Sequence, residues 1–301
     1  MPHYTKTCKL PEDLISLLKG RGLSFSDENQ AIDYLSHIGY FRLSAYLRPL
    51  YQDPKNAHIF KTDATFEKAM FMYRFDRKLR ILLFNEIEKI EVAIRSAISN
   101  FMSNEVNDVF WMTDPRYFHN RSYFSQTQAI IDKELHRTRE DFIIHFRATY
   151  SDPYPPAWMI AEILPLGVIC KLYSNLKLPR WKKRIANQFG LTAPVLDSWM
   201  QVLGQVRNLC GHHSRVWNRE LMITPADPSN IVYGWIDRTQ TDYRRLYCRV
   251  CMIKYFLCSV SPHNTFEEKL ALLFVKFPTV DINAMGFPDT WANDSIWKDN
   301  G

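Results

Sequence analysis

The stretch TFEKAMFMYRFDRKLRILLFNEIEKIEVAIRSAISNFM, residues 65–102, decides the fold. Phe66, Met70, Tyr73, Leu79, Leu82, Leu83, Ile87, Ile90, Ile94 and Ile98 recur at three- and four-residue steps, the repeat of one helix face. No proline or glycine interrupts them, so the spacing predicts one long helix from Thr65 to about Met102. The other face carries Arg74, Arg77, Lys78, Arg80, Glu86, Glu88, Lys89 and Glu91, the mixed-charge pattern of a solvated surface with local pairs. Arg74, Arg77 and Lys78 cluster closely enough on it to be candidates for contact with RNA phosphates.

Helix signals continue on both sides. Leu14-Ile15-Ser16-Leu17-Leu18 is a short amphipathic helix ended by Lys19-Gly20-Arg21-Gly22, and Ser26-Asp27-Glu28 caps a second that runs through Tyr34 and Leu35. The aromatics between Ile38 and Leu47 read as a packing ridge or a recognition surface, with packing favoured. A charged helix is expected from about Gln126 to Thr149, broken by the three prolines between Tyr150 and Pro156, and another from Ala157 to Leu176. Pro194 opens a helix whose Val195, Leu196, Trp199, Val202, Leu203 and Val206 lead into Arg207. Two more are expected over Asp242–Val260 and Thr265–Lys276, and the aromatic-rich tail from Met285 to Trp297 should dock on the domain. The expectation is an all-α protein, with an N-terminal helical extension over residues 1–60 and a helical domain over 61–301 joined in one compact unit.

Composition agrees with this class. Of 301 residues 46% are hydrophobic and 14% aromatic, enough for a substantial core, and only ten glycines stand against ten methionines, which excludes a turn-rich β architecture. The net charge of +6, from 38 Lys and Arg against 32 Asp and Glu, permits an anionic partner without demanding one. A local basic patch with an aromatic, Arg180, Lys182, Lys183 and Arg184 beside Trp181, suits single-stranded nucleic acid and equally suits an exposed helix surface. No run of about twenty apolar residues exists and the start, Met1 to Lys6, lacks the apolar core of a signal peptide, so a cytoplasmic protein without membrane contact is expected. Cys8, Cys170, Cys210, Cys248, Cys251 and Cys258 read as reduced, packed thiols; Cys248-x-x-Cys251 has no second pair at ligand spacing, so neither metal nor cofactor is expected.

The segment that carries chemistry is Arg207-Asn208-Leu209-Cys210-Gly211-His212-His213-Ser214-Arg215. Arginine holds a phosphate through a planar fork of donors, and histidine moves a proton at neutral pH. RNA cleavage needs a base for the ribose 2′-OH, a cation on the phosphate and an acid for the departing 5′-oxygen. His212 fits base or acid, with His213 the alternative, and Arg207 fits the phosphate. Asn208 would orient the ribose or tie down the turn, and Arg215 and Arg219 would extend the cradle. On an unbroken helix Arg207 and His212 stand about 140° apart. Either the backbone turns near Gly211, or a second subunit completes the site. The plain structural alternative is that the same residues cap helix carbonyls and pair with a buried carboxylate.

Four distant segments give this motif its context: Tyr34 to Tyr46, Tyr73-x-Phe75-Asp76-Arg77-x-Leu79-Arg80, Pro155-Pro156-x-Trp158-x-x-x-Glu162, and Arg207-Asn208 through His212-His213 to Trp217-Asn218-Arg219; Met285-Gly286-Phe287-Pro288 with Trp291 adds a fifth. Together they resemble the Abi family of bacterial abortive-infection proteins, of the AbiD and AbiF type, within the HEPN superfamily of helical ribonucleases. The resemblance implies a HEPN-type helical bundle with additional N- and C-terminal helical elements. It also implies a homodimer in which two R-x(4–6)-H motifs form one metal-independent RNase site. Arg207 and His212 match that motif, Asn208 its polar second position, and Glu162 a supporting place. RNA would be the substrate, and a small structured non-coding RNA, with which some members are associated, would be a further partner. The alternative is an RNA-binding or toxin–antitoxin module that does not cut. Two positions depart from the pattern: Gly211 stands where alanine is common, and Leu166-Gly167 where phenylalanine and glycine are expected.

Overall fold

Asp27 begins the second helix as its composition predicts, its carboxylate accepting the Gln30 amide at 3.0 Å. The computed structural model describes residues 3–5 and 7–298, so Met1, Pro2 and Lys6 of the N-terminal stretch lie outside the described residues. Before the long helix come α1 (Pro11–Gly20), α2 (Glu28–Ile38) and α3 (Tyr40–Leu47), the last two joined by Gly39 at φ 84°, a conformation that favours glycine. The uninterrupted apolar repeat then forms α4 (Phe66–Val106), 41 residues in one piece. Its Ile87, Ile90, Ile94 and Ile98 are all buried. The described residues hold thirteen α-helices and no strand; Ser24–Thr65, Tyr51–Phe60 and Phe118–Leu176 are isolated bridges. The fold is all-α.

Two of the expected helices are each two. The charged segment divides into α5 (Arg121–Arg137) and α6 (Asp141–Thr149), because Thr138 and Glu140 take extended backbone. The Thr138 hydroxyl accepts the Glu140 amide at 3.3 Å, a local bond that competes with the helix ladder, and Arg147 donates to the Leu135 carbonyl at 2.6 Å. The segment expected as a single helix over Ala157–Leu176 is α7 (Ala157–Ile163) and α8 (Leu166–Ser174). Pro165 has no N–H to donate and drives Leu164 to ψ 143°. Next come α9 (Pro179–Asn187) and α10 (Ala193–Gly211). The helix expected from Asp242 starts later, as α11 (Leu246–Val260), since the Asp242 carboxylate turns the chain by accepting the Arg244 amide at 2.9 Å. α12 (Phe266–Lys276) and α13 (Ser295–Lys298) complete the order.

The chain packs as two units, Met1–Leu79 with Ala271–Val280, and Arg80–Leu270 with Asp281–Gly301. In the first, Phe75 packs edge-on to Phe277 at 5.6 Å, and the fully buried Asp76 accepts the Tyr46 hydroxyl at 2.5 Å. In the second, Trp199 stacks on Trp235 at 4.9 Å, and the tail residues Phe287, Trp291 and Trp297 are buried, with the Trp297 indole donating to Tyr247 at 3.2 Å.

Two buried charges anchor that second unit. Arg249, inside the largely apolar α11, donates to four backbone carbonyls: Tyr243 and Arg245 through one nitrogen, Leu221 and Ile223 through the other. Burial pushes its guanidinium down to about 10, which leaves it charged at neutral pH. Glu86, fully enclosed, accepts from Asn85, Lys89 and Lys269 at 3.0, 2.6 and 3.3 Å. Burial alone would raise its carboxyl, but the hydrogen bonds of Lys89 and Asn85 and the charges of Lys89 and Lys269 outweigh it, holding it below its ordinary value of 4.5. A depressed carboxylate stabilises the fold above the unfolded chain's pKa, and that share is lost as pH falls through the folded value. Unfolding free energy from urea titrations therefore declines as pH drops below 4.5, and Glu86→Gln flattens that decline while lowering stability at neutral pH.

Candidate active site

Leu203, Val206 and Cys210 bury one face of α10 and so fix how its last turn is presented. The helix ends in a paired-bond cap: the Ser214 amide donates to the Leu209 carbonyl at 2.8 Å, and the His213 amide to the Cys210 carbonyl at 3.1 Å. In such a cap one residue takes the left-handed conformation, usually glycine; here it is His213, at φ 56°. Gly211 is the last helical residue and does not turn the chain, which corrects the expectation placed on it. The turn is held from outside by Arg80, itself buried, whose guanidinium donates to the Ser214 carbonyl at 3.4 Å.

His212 therefore stays on the helical trajectory, its amide still bonded to the Asn208 carbonyl at 2.9 Å. Five residues from Arg207 along that trajectory is about 140° around the axis. Its imidazole is exposed and makes no hydrogen bond among the described residues. Asn208 is likewise exposed.

Arg207 is 40% exposed, and its Nε lies 3.4 Å from a Glu91 carboxylate oxygen, close enough for an ion pair though not aligned as a hydrogen bond. Its guanidinium lies over the Phe84 ring at 5.9 Å. The other oxygen of Glu91 is 2.5 Å from Arg95, which in turn donates to the Ala161 and Leu164 carbonyls that the Pro165 break leaves open. Arg80 and Glu91, read from the sequence as part of a solvated face, and Arg95 instead contact Arg207 or the end of α10 directly or through one another. Arg80 falls inside one of the matching segments, and that was the available signal.

Arg207 and Asn208 also line a cavity of about 780 Å³ between α8 and α10, with Lys171 across from them. The remaining candidates lie elsewhere. Glu162 is exposed and lines a separate cavity with Glu134, Arg137 and Glu140. Arg215 donates to the Asn218 carbonyl at 2.8 Å and Arg219 to the Arg215 carbonyl at 3.4 Å, so both spend donors on closing their own loop. Arg180 and Arg184 reach Glu105 at 3.9 and 2.7 Å, and Lys182 caps α8 at the Ser174 carbonyl at 3.0 Å. Of that patch only the two arginines form ion pairs among the described residues, and Lys183 has no polar partner there. Arg74 donates to the Tyr34 hydroxyl at 2.6 Å, while Arg77 and Lys78 are exposed; all three belong to the first unit. Cys248 and Cys251 are buried in α11, and burial pushes the Cys248 thiol up to about 12.

A family model described as Abi-like protein matches residues 33–218, from within α2 to beyond the end of α10 and across the whole motif. No curated protein and no solved structure matches the chain. No helix among the described residues is long and apolar enough to cross a membrane.

Proposed function

Because the chain belongs to the Abi-like protein family, we propose that it is a metal-independent endoribonuclease of abortive infection, the bacterial defence against phage, with Arg207 and His212 as its catalytic pair and Asn208 beside them. The observation that supports this most is the end of α10. A cap held by two backbone bonds and by Arg80 presents an uncommitted imidazole to solvent, next to a cavity that carries Arg207 and Asn208.

The straight course of the helix through Gly211 leaves Arg207 and His212 diverging within one chain, so the site is completed by a second copy. Phe84, under the Arg207 guanidinium, and Ile81 and Val92 on the same helix, exposed at 39%, 58% and 52%, offer the apolar surface on which that copy sits. In the joint site one His212 takes the proton of the ribose 2′-OH. The 2′-oxygen then bonds to phosphorus, Arg207 neutralises the phosphate, and the 5′-oxygen leaves with a proton from the other His212. The products are a 2′,3′-cyclic phosphate and a 5′-hydroxyl.

Purified protein incubated with RNA in EDTA should therefore generate cyclic-phosphate ends, and it should have the mass of a dimer. Cleavage that EDTA abolishes would overturn the mechanism. A second reading is favoured by the Arg207–Glu91 ion pair: Arg207 is a structural strut in an RNA-binding or toxin–antitoxin module that does not cut. Then RNA binding survives both Arg207→Ala and His212→Ala, Arg207→Ala lowers the melting temperature, and no cyclic phosphate forms.

A further inference from the structure

Gly204 and Gly167 are difficult to explain by packing. Gly204 sits in the interior of α10 and Gly167 in the first turn of α8, where glycine is a poorer helix former than almost any other residue. Neither has positive φ, so neither is required by the backbone. A Cβ added at either position would meet nothing within 4 Å, so neither lets two helices approach closely. What they share is the cavity of about 780 Å³, which both of them line. These glycines keep that space open.

The lining says what would enter. Of the fifteen residues around the cavity none is Asp or Glu, while Arg207 and Lys171 place cations in its wall, which favours an anionic ligand. Gln126, Gln201, Gln205 and Asn208 supply side-chain amides, each offering both donors and an acceptor, the complement of a base edge. The Gln205 amide oxygen is enclosed and has no hydrogen-bond partner among the described residues. Tyr123, a 60% exposed residue, also lines the cavity and offers a ring for stacking.

We propose that this cavity is a base-specificity pocket: it receives one unstacked nucleobase of a single-stranded RNA, next to the phosphate that Arg207 takes. The inference rests on the reading of Arg207 and His212 as an RNA site, and it adds where the neighbouring base goes. A base held there is splayed out of the strand, stacked on Tyr123 and read by the amides, so cleavage falls beside particular bases rather than at random.

The test uses the full chain carrying His212→Ala, so that RNA is bound without being cut, with fluorescence anisotropy of a labelled single-stranded RNA and of the same strand with one abasic position. Binding to the base-bearing strand is expected to be about tenfold tighter, the effect of one stacked base. Adding Gly204→Leu fills the pocket; it is expected to lower affinity for the intact strand about tenfold and to erase the preference over the abasic one. The melting temperature should hold or rise, since leucine forms helix better than glycine. Gly204→Ala should have a smaller effect in the same direction, which keeps the test valid should leucine disturb the fold. Equal affinity for both strands, no effect of either substitution, or no RNA binding at all would overturn the proposal. Base discrimination by a wild-type chain that never cleaves would instead sink the nuclease reading and leave the pocket standing.

Discussion

His212→Ala lowers RNA cleavage by about 10²- to 10⁴-fold, the contribution of one general acid or base, while the melting temperature stays where it was. The second half of this expectation follows from geometry. The ring is exposed and bonded to nothing among the described residues, so its removal leaves no buried group unpaired. The backbone amide that continues the helix to Asn208 is kept by alanine. The neighbouring histidine supplies the control: His213 holds the left-handed position, so His213→Gly preserves the turn and removes only the ring. Gel assays of RNA in EDTA should show His213→Gly cutting at close to the wild-type rate. The reverse result, loss with His213→Gly and retention with His212→Ala, would transfer the proton-transfer role to His213.

Arg249→Leu costs about 3–5 kcal/mol of stability, a large effect for a single substitution. Replacing a buried ion pair by apolar side chains is often harmless, because both partners go together. Arg249 differs in that its partners are the carbonyls of Leu221, Ile223, Tyr243 and Arg245, which no side-chain substitution removes. Leucine leaves all four without those donors, and the buried carbonyls of Tyr243 and Leu221 each cost about 1–3 kcal/mol before relaxation. Lysine brings a charge but not the fork, and should recover only part of the loss. Urea denaturation measures the cost. Limited proteolysis should show cleavage first between residues 221 and 245, the segment that Arg249 ties to α11. A loss below 1 kcal/mol, within the range of ordinary surface changes, would mean that the loop is held by other contacts.

The apolar repeat made α4 legible because thirty-eight residues without glycine or proline admit one regular structure only. The breaks before α6 and before α8 were less so. Pro165 stood in plain sight, but the hydrophobic spacing from Ala157 to Tyr173 runs straight through it. The break at Thr138 has no such marker, since it depends on a hydroxyl that bonds its own backbone. Gly211 attracted the turn on conformational grounds; two backbone bonds and the Arg80 guanidinium, from a helix far earlier in the chain, place it at His213 instead. Glu86 and Glu91 share the charged face of α4 in the linear pattern, yet Glu86 is fully enclosed and Glu91 stands between two arginines. Periodicity reports which way a side chain points from its own helix; it carries no information on which distant helix comes to meet it.

Glu91 meets Arg95 and Arg207 at once, and the arithmetic of that arrangement is uneven. Two guanidiniums bring two positive charges and a single carboxylate brings one negative, so the trio carries one positive charge that no member of it neutralises. Arg95 is committed to the carbonyls behind it, which assigns the unmatched charge to Arg207 at the surface. That charge is open to a monoanion from outside, and the phosphodiester proposed above is one.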